Sequence, residues 1–461
     1  MKRKNIKRLN RNIVTYTLCI LMAMSLTSCS LLPDGLIGKK EESGTIEVAP
    51  SVITINNDQG NYKRATIEEP EEIDETDETQ VVEQEYIYDD VNKIYSKETK
   101  SSDEVVLRFV GDVCFYDDFS LMSEFRNSGS DIDNSIDASL LTLMRDADIF
   151  MLNNEFCYSD RGAPIEGKQY AFRSKPSNVE ILNDMGADIV SLANNHAYDW
   201  GPDALADSVD ILNGAKVPFV GAGKNIEEAM RPVYFKVNGV TLSYVSATQI
   251  ERFGNPDTKE ATETSPGVLR TLDPTKACKV INEAKANSDF CIMYVHWGSE
   301  NTDLVEGSQR DLAKKYVEAG ADLIIGDHSH CLQGIDYIDD VPVFYSMSNY
   351  WFNSKTVDTG IAEIVVNTGV DMPVSIKDVK FIPAIQRGCK THEVTAEESA
   401  RILSYLQGIS DYAEIDLATG QVRKSDTNHN TQGGMNTSPT KKAPEPEAGV
   451  VDLTGVEVQA Q

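Results

Sequence analysis

The sequence predicts a layered α/β domain built on a largely parallel sheet, with polar chain on either side that does not join it. Three observations predict this. Between about Val105 and Gly408, short β-branched runs alternate with amphipathic segments at helical spacing. Those apolar runs end in polar residues rather than fading into turns. Outside that region the chain is either strongly acidic or rich in Pro, Gly, Ser, Thr and Asn, compositions that cannot bury enough surface to offset chain entropy.

The elements follow in order. "VVLRFVGD" from Val105 reads as a strand and "IDASLLTLMRDAD" from Ile136 as a helix. "DIFMLNNE" is a second strand, and "SNVEILNDMG" a helix with Ser177 as its N-cap and Gly186 as its stop. "DIVSLANNH", the helix "DALADSVDILNG" and "VPFVGAG" come next. "VYFKVNGVTLSYVSA" reads as a hairpin turning at Asn238-Gly239. The alternation resumes with "DFCIMYVHWG", the helix "SQRDLAKKYVEAG", "ADLIIGDHSH" and "VPVFYSMSNYWF". The hairpin and the β-rich stretch from Gly360 to Pro383 predict a second, antiparallel sheet packed on the first.

The flanks point to export. Lys2, Arg3, Lys4, Lys7, Arg8 and Arg11 precede an apolar run from Thr17 to Leu26 and then Leu26-Thr27-Ser28-Cys29, the pattern of a secretory signal. The ending resembles the bacterial lipobox, so residues 1–28 are expected to be a lipoprotein signal peptide and Cys29 the lipidated first residue, on the outer face of the cell membrane. An ordinary signal peptide or an uncleaved anchor is the alternative. Residues 29–104 are expected to be a disordered tether: from Glu41 to Glu104 there are 19 acidic residues against 5 basic ones. The folded domain is expected over 105–410 and a disordered tail over 411–461. With a formal net charge of -30 and no basic stripe, nucleic acid is excluded as a partner. Cys114, Cys157, Cys278, Cys291, Cys331 and Cys389 are scattered singly and form no zinc-knuckle pattern.

The chemistry is concentrated at strand ends, where open α/β sheets bind ligands. Five predicted strands end in Asp112, in Glu155 beside Asn153 and Asn154, in Asn195 with His196, in His296, and in the pair His328 and His330. Singly, each has a structural explanation: Asp112 as a cap, Asn194-Asn195 as turn chemistry, His296 as a core histidine beside Trp297. Together they form a set of oxygen and imidazole donors that suits Mn, Fe or Zn, as one or two divalent ions. Glu155 has two oxygens with which to bridge two ions, as in two-metal hydrolytic sites. His196 is then the candidate acid for a leaving group, with Asp199 fixing its tautomer.

The motifs "GDVCF", "NNE", "YAFRSKP", "SLANNHAYDWG", "HWGSE", "GDHSH" and "VFYSMSNYWF", in this order from Val105 to Phe352, resemble the bacterial CapA-like proteins of poly-γ-glutamate capsule synthesis, which are related to calcineurin-like metallophosphoesterases. The resemblance implies a four-layer α/β/β/α sandwich of that type. It implies metal ligands at Asp112, Glu155, Asn195, His296, His328 and His330, catalytic roles for His196 and Asp199, and an anion contact for substrate at Arg173, which as a residue could equally be a surface salt bridge. Three positions depart from the pattern. Cys114 stands where the wider superfamily has a histidine, leaving one ion a thiol or nothing there. Asp327 and Ser329 replace His and Pro in the last histidine motif, with Asp327 a partner to a ligand or an extra carboxylate. Ser348, beside Asn349, replaces a glycine.

Two functions follow as expectations. One is a surface-anchored, metal-dependent hydrolase acting on poly-γ-glutamate or a related envelope polymer. The other is a non-catalytic capsule assembly or polymer-export subunit that keeps the fold and works with membrane synthase subunits.

Overall fold

The structure, a computed structural model, describes residues 87–250 and 258–431. The expected signal peptide, Cys29, the tether up to residue 86 and the tail beyond Thr431 lie outside the described residues. Among the described residues no helix is long and apolar enough to cross a membrane.

Two eight-stranded sheets form the centre. In the second sheet, β1 (Tyr88–Asp89) and β2 (Ile94–Ser96) are followed by β7 (Val233–Val237), β8 (Val240–Thr248), β9 (Phe290–His296), β10 (Leu323–Asp327), β12 (Val341–Met347) and β11 (Leu332–Ile338). In the first, β3 (Glu104–Val113), β4 (Ile149–Asn154), β5 (Ile189–Ser191) and β6 (Phe219–Val220) run parallel. Antiparallel β14 (Val357–Asn367), β15 (Ser375–Arg387) and β16 (Lys390–Glu393) extend it on the other side of β3, and β13 (Asn349–Trp351) pairs with the end of β3. Each sheet therefore has a parallel centre, β3 to β6 in one and β8, β9, β10 and β12 in the other.

The expectation of one parallel sheet with a separate antiparallel sheet is corrected here. The Gly360–Pro383 stretch adds its strands to the edge of the first sheet, and the Asn238-Gly239 hairpin adds to the second. Antiparallel partners can satisfy an edge without a crossover helix, so they extend a parallel sheet as readily as they found a new one.

The layering follows from the cores. Leu107 and Phe109 of β3, Met151 of β4, Tyr244 of β8, Ile292 and Tyr294 of β9 and Ile325 of β10 share one buried cluster between the sheets. Phe150 and Leu152, the alternate residues of β4, face a second cluster with Leu121 and Phe125 of α1 (Ser120–Asn127), Leu140 and Met144 of α2 (Ala138–Arg145), Leu182 of α3 (Glu180–Met185) and Leu205 and Val209 of α4 (Pro202–Gly214). On the far side, Met293 and Val295 of β9 meet Val280 and Ile281 of α5 (Thr275–Ala286) and Leu312 and Tyr316 of α6 (Gly307–Glu318). The order is helices, sheet, sheet, helices. Burial on both faces is why β4 and β9 read as unbroken apolar runs; each large side chain so buried contributes about 1.5–3 kcal/mol.

Local signals held with one exception. Gly186 ends α3 in the left-handed region at φ 80°, and Asn238 and Gly239 turn the hairpin at φ 49° and 76°. Ser177, however, lies inside a 3-10 turn over Pro176–Val179, because Pro176 has its φ fixed for a helical start and opens the turn first. The folded region also exceeds its expected limits. β1 and β2 fall in the stretch expected as tether. Helix α7 (Ala396–Ile409) joins the inter-sheet core through Ile402, Leu403 and Leu406, and it is followed by a small antiparallel ribbon, Ala413–Ile415 with Val422–Lys424. The apolar positions there, Ala413, Ile415 and Val422, are too few to stand out in a polar segment, yet all three are buried. His429 accordingly lies in ordered chain, within 2.9 Å of the Ser425 hydroxyl.

At Ser348 the chain crosses from β12 of one sheet to β13 of the other, with φ 67°. The Asp112 N–H donates to the Ser348 carbonyl at 3.0 Å. Gly111 permits this approach: a Cβ there would stand 2.0 Å from that carbonyl oxygen. Gly111→Ala is expected to destabilise the protein by at least about 2 kcal/mol, read as a lowered urea midpoint, since backbone rather than a flexible side chain must give way.

Candidate metal centre

The strand ends of both sheets meet at one rim. β3, β4 and β5 deliver Asp112, Glu155 and the loop with Asn195 and His196; β9 and β10 deliver His296 and the loop with His328 and His330. His328 and His330 sit at φ 91° and 55°, a left-handed path that costs non-glycine residues energy and turns both rings back toward the rim. Asp112, Glu155, His296 and Asp327 are fully buried.

Two groups of donors share Glu155. In one, Glu155, His296 and His328 place their ligand atoms within 4.8 Å of one another. His296 Nε2 is 2.7 Å from Asn195 Oδ1, 3.0 Å from His328 Nδ1 and 3.7 Å from Glu155 Oε1. In the other, Asp112, Glu155 and His330 meet the same limit, with His330 Nδ1 3.1 Å from Asp112 Oδ2. Asn153, between them, donates to Asp112 Oδ1 at 2.9 Å and lies 3.4 Å from Glu155 Oε2. A third group, Asp112, His296 and Asp327, includes a carboxylate whose Oδ1 is 2.7 Å from His296 Nδ1. Asp327 therefore pairs with the ring nitrogen facing away from Asn195, as a partner that orients a ligand does.

Proton counting tests whether a cation fits. His296 faces an oxygen acceptor on each nitrogen, Asp327 Oδ1 and Asn195 Oδ1. A neutral imidazole has one proton for those two acceptors. Burial holds the ring neutral, moving its pKa down to about 3. Glu155 Oε1 is buried without a hydrogen-bond partner, as is Asp327 Oδ2. A divalent cation in place of the missing protons satisfies these lone pairs together, so the residues fit the group. The donors are imidazole, carboxylate and amide, the set that suits Mn, Fe or Zn.

The electrostatics agree. Burial, then the charges of Asp112 and Asp327, pushes the Glu155 carboxyl well above its ordinary value. Burial and Asp112 do the same to Asp327. For Asp112 burial acts upward, yet the hydrogen bond and charge of His330 bring the group below the ordinary carboxylate range. His328 is driven down by burial and by His296 and His330.

His196 stands beside this cluster, its Nε2 3.8 Å from Glu155 Oε1. Its Nδ1 is 2.7 Å from Asp199 Oδ2, and Phe172 stacks on the ring at 4.1 Å between centroids. Asp199 accepts from the Phe172 N–H at 2.6 Å and pairs with the buried ammonium of Lys168, which also donates to the Asn195 carbonyl. Burial lowers the His196 pKa. Alongside is a cavity of about 360 Å³ lined by Gln249, Ile250, Gly298, Ser299, Glu300, Glu306 and His328.

Two further positions have partners of their own. Cys114 is fully buried in the outer apolar cluster with Phe115, Phe125 and Trp351, where burial raises its thiol pKa, and it belongs to none of the donor groups at the rim among the described residues. Arg173 lies over the Trp200 ring at 3.5 Å and donates to the Arg161 carbonyl at 3.3 Å. Asn194 is both turn residue and bridge: its Oδ1 accepts from the His196 N–H, and its amide donates to Asn153 Oδ1. Lys168 and Phe172 were not singled out by the sequence, and Asn153 was named only as a neighbour of Glu155. Asn153 had a signal, two residues before Glu155 on a strand whose neighbours are apolar; Lys168, on an irregular loop, had none.

The model of the bacterial capsule synthesis protein family PGA_cap matches residues 106–354, more than half of the chain. The chain belongs to the PGA_cap family. All six expected ligands, with His196, Asp199 and Arg173, lie inside the PGA_cap match. The chain is 32% identical to the PGA biosynthesis protein CapA of Bacillus subtilis over 200 residues, 42% of this chain and 51% of that one. It is 32% identical to the capsule biosynthesis protein CapA of Bacillus anthracis over 244 residues, 52% of this chain and 58% of that one. A "Probable polyglutamine synthesis accessory protein" of Mycobacterium tuberculosis is 29% identical over 205 residues, 43% and 54% of the two chains. The match spans about half the length of these PGA_cap relatives.

Glu155→Gln separates the apo and metal-loaded states. A raised carboxyl pKa costs the metal-free fold stability once pH exceeds the ordinary value, so at pH 7 metal-free Glu155→Gln is expected to be more stable than metal-free wild type by roughly 1–3 kcal/mol. Saturating Mn²⁺ at about a hundred times its Kd should stabilise wild type by about 2.7 kcal/mol and the variant much less. Thermal melts with and without Mn²⁺ measure both.

Proposed function

We propose that this protein is a metal-dependent hydrolase acting on poly-γ-glutamate or a related envelope polymer, held at the outer face of a bacterial membrane by a lipid on Cys29. The observation that carries the catalytic part is the buried convergence of Asp112, Glu155, Asn195, His296, His328 and His330 with more acceptors than protons. Bound there, divalent ions supply Lewis acidity, acidifying water and polarising an acyl or phosphoryl oxygen. The polymer context is supported by the relatives' names and the export pattern of residues 1–28.

The chain's own residues have separable tasks. Asp199 accepts a hydrogen bond from the Nδ1–H of His196, so a second proton taken up by the ring sits at Nε2, facing the cluster, where it can pass to a leaving group. Phe172 fixes the plane of the ring and keeps water from that face. Lys168 holds Asp199 from the other side, so His196 is not free to turn. Asp327 fixes the tautomer of His296. Arg173, stacked on Trp200, is assigned the anionic groups of the polymer.

A second reading is a non-catalytic assembly or export subunit working with membrane synthase subunits. The withdrawal of Cys114 from the rim favours it, because that side of the site lacks an expected ligand.

Purified protein is expected to contain a divalent transition metal and to hydrolyse a phosphodiester or γ-glutamyl polymer only while that metal is bound. His196→Ala should lower kcat about 10²- to 10⁴-fold with metal content unchanged. Turnover equal to wild type in that variant would remove the hydrolase reading. An inactive wild type whose deletion still abolishes surface polymer selects the assembly subunit.

A further inference from the structure

We infer that Asn349 is a metal ligand, its Oδ1 completing the donor group of Asp112, Glu155 and His330 in the place an imidazole at position 114 would have taken. The inference rests on the reading of the rim as a metal centre.

Position 114 contributes nothing, because Cys114 faces the outer apolar core and its N–H is held by the Trp351 carbonyl at 3.1 Å. The same pairing of β13 with β3 that occupies Cys114 sets Asn349 directly opposite Asp112. Asn349 is 1% exposed, so its amide must find partners inside the protein.

The spacing is that of co-ligands. Asn349 Oδ1 is 2.7 Å from His330 Nδ1, and Asp112 Oδ2 is 3.1 Å from the same atom. Donors at about 2.1 Å from an ion and at right angles to each other stand about 3.0 Å apart. The protons again fall short, since two oxygen acceptors converge on one ring nitrogen that offers at most one proton. With the proton on Nε2 instead, Nδ1, Oδ2 and Oδ1 present three lone pairs to one point, and the unpartnered Glu155 Oε1 lies at the same rim.

The backbone is built for this. Ser348 at φ 67° takes a conformation unfavourable for a non-glycine residue, and the crossover it makes brings Asn349 to the rim one residue later. The substitution also changes the kind of ion favoured. Three oxygens and one nitrogen form a harder site than the Asn195, Glu155, His296 and His328 group, so Mn²⁺ is expected here in preference to Zn²⁺.

The test uses the full chain, stripped with chelator and titrated with Mn²⁺ by calorimetry, with bound metal counted by mass spectrometry. Asn349→Ala is expected to weaken one bound ion at least about tenfold. Asn349→Asp, which keeps an oxygen at the same reach, should bind within a few-fold of wild type or more tightly, and Cys114→Ser should bind as wild type. Unchanged affinity in Asn349→Ala overturns the assignment, as does loss of an ion in Cys114→Ser. Should Asn349→Ala fail to fold, Asn349→Asp decides: weakening of tenfold or more overturns the assignment, and retained binding supports it. A wild type that binds no Mn²⁺ overturns this inference and the metal centre together, whereas one that binds Mn²⁺ but hydrolyses nothing overturns only the hydrolase reading.

Discussion

Three carboxylates with no exposed surface, Asp112, Glu155 and Asp327, within reach of the same imidazole are the constraint around which this molecule is organised. Removing even one ionised carboxylate from water costs several kcal/mol unless it is paired. The surroundings supply too little positive charge, because burial drives His296 and His328 toward their neutral forms. The repulsion is tolerable only in a frame that cannot relax away from it. Two sheets sharing one apolar core, each armoured by helices on its outer face, provide that frame.

Much of this frame was legible because strands buried on both faces leave unbroken apolar runs, and a polar residue closing such a run is conspicuous. Asp112, Glu155, His296 and His328 were found in this way. Membership of a sheet was not legible: whether β14 and β15 begin a new sheet or extend an old one depends on pairing between residues hundreds of positions apart, such as Ala362 with Phe109. The fate of Cys114 was hidden for a related reason. A one-residue change of face at the end of β3, where the pairing with β4 shifts register, decides whether its side chain meets the rim or the outer core. The ribbon after α7 escaped notice because its polar composition resembles that of a tail, and only its packing on the core distinguishes it.

The surroundings of the centre bear on what it can receive. Glu300 and Glu306 line the adjacent cavity, so without a cation this mouth repels a polyanion. Divalent ions held at the rim would reverse the sign of the local field. Residues 1–104 hold 20 acidic residues against 13 basic ones, so most of the net charge of -30 lies from Val105 onward, in the region that carries the site.

The crossover at Ser348 has a bearing on the order of events during folding. His330 and Asp112 are 218 positions apart, and they touch only where the chain steps between sheets. Closing so long a loop is entropically unfavourable until other contacts hold its ends, so the rim is expected to assemble last, after each sheet has its own core. Each donor group joins Asp112 or Glu155 of one sheet to residues delivered by the other, so none of them forms until the two sheets have come together.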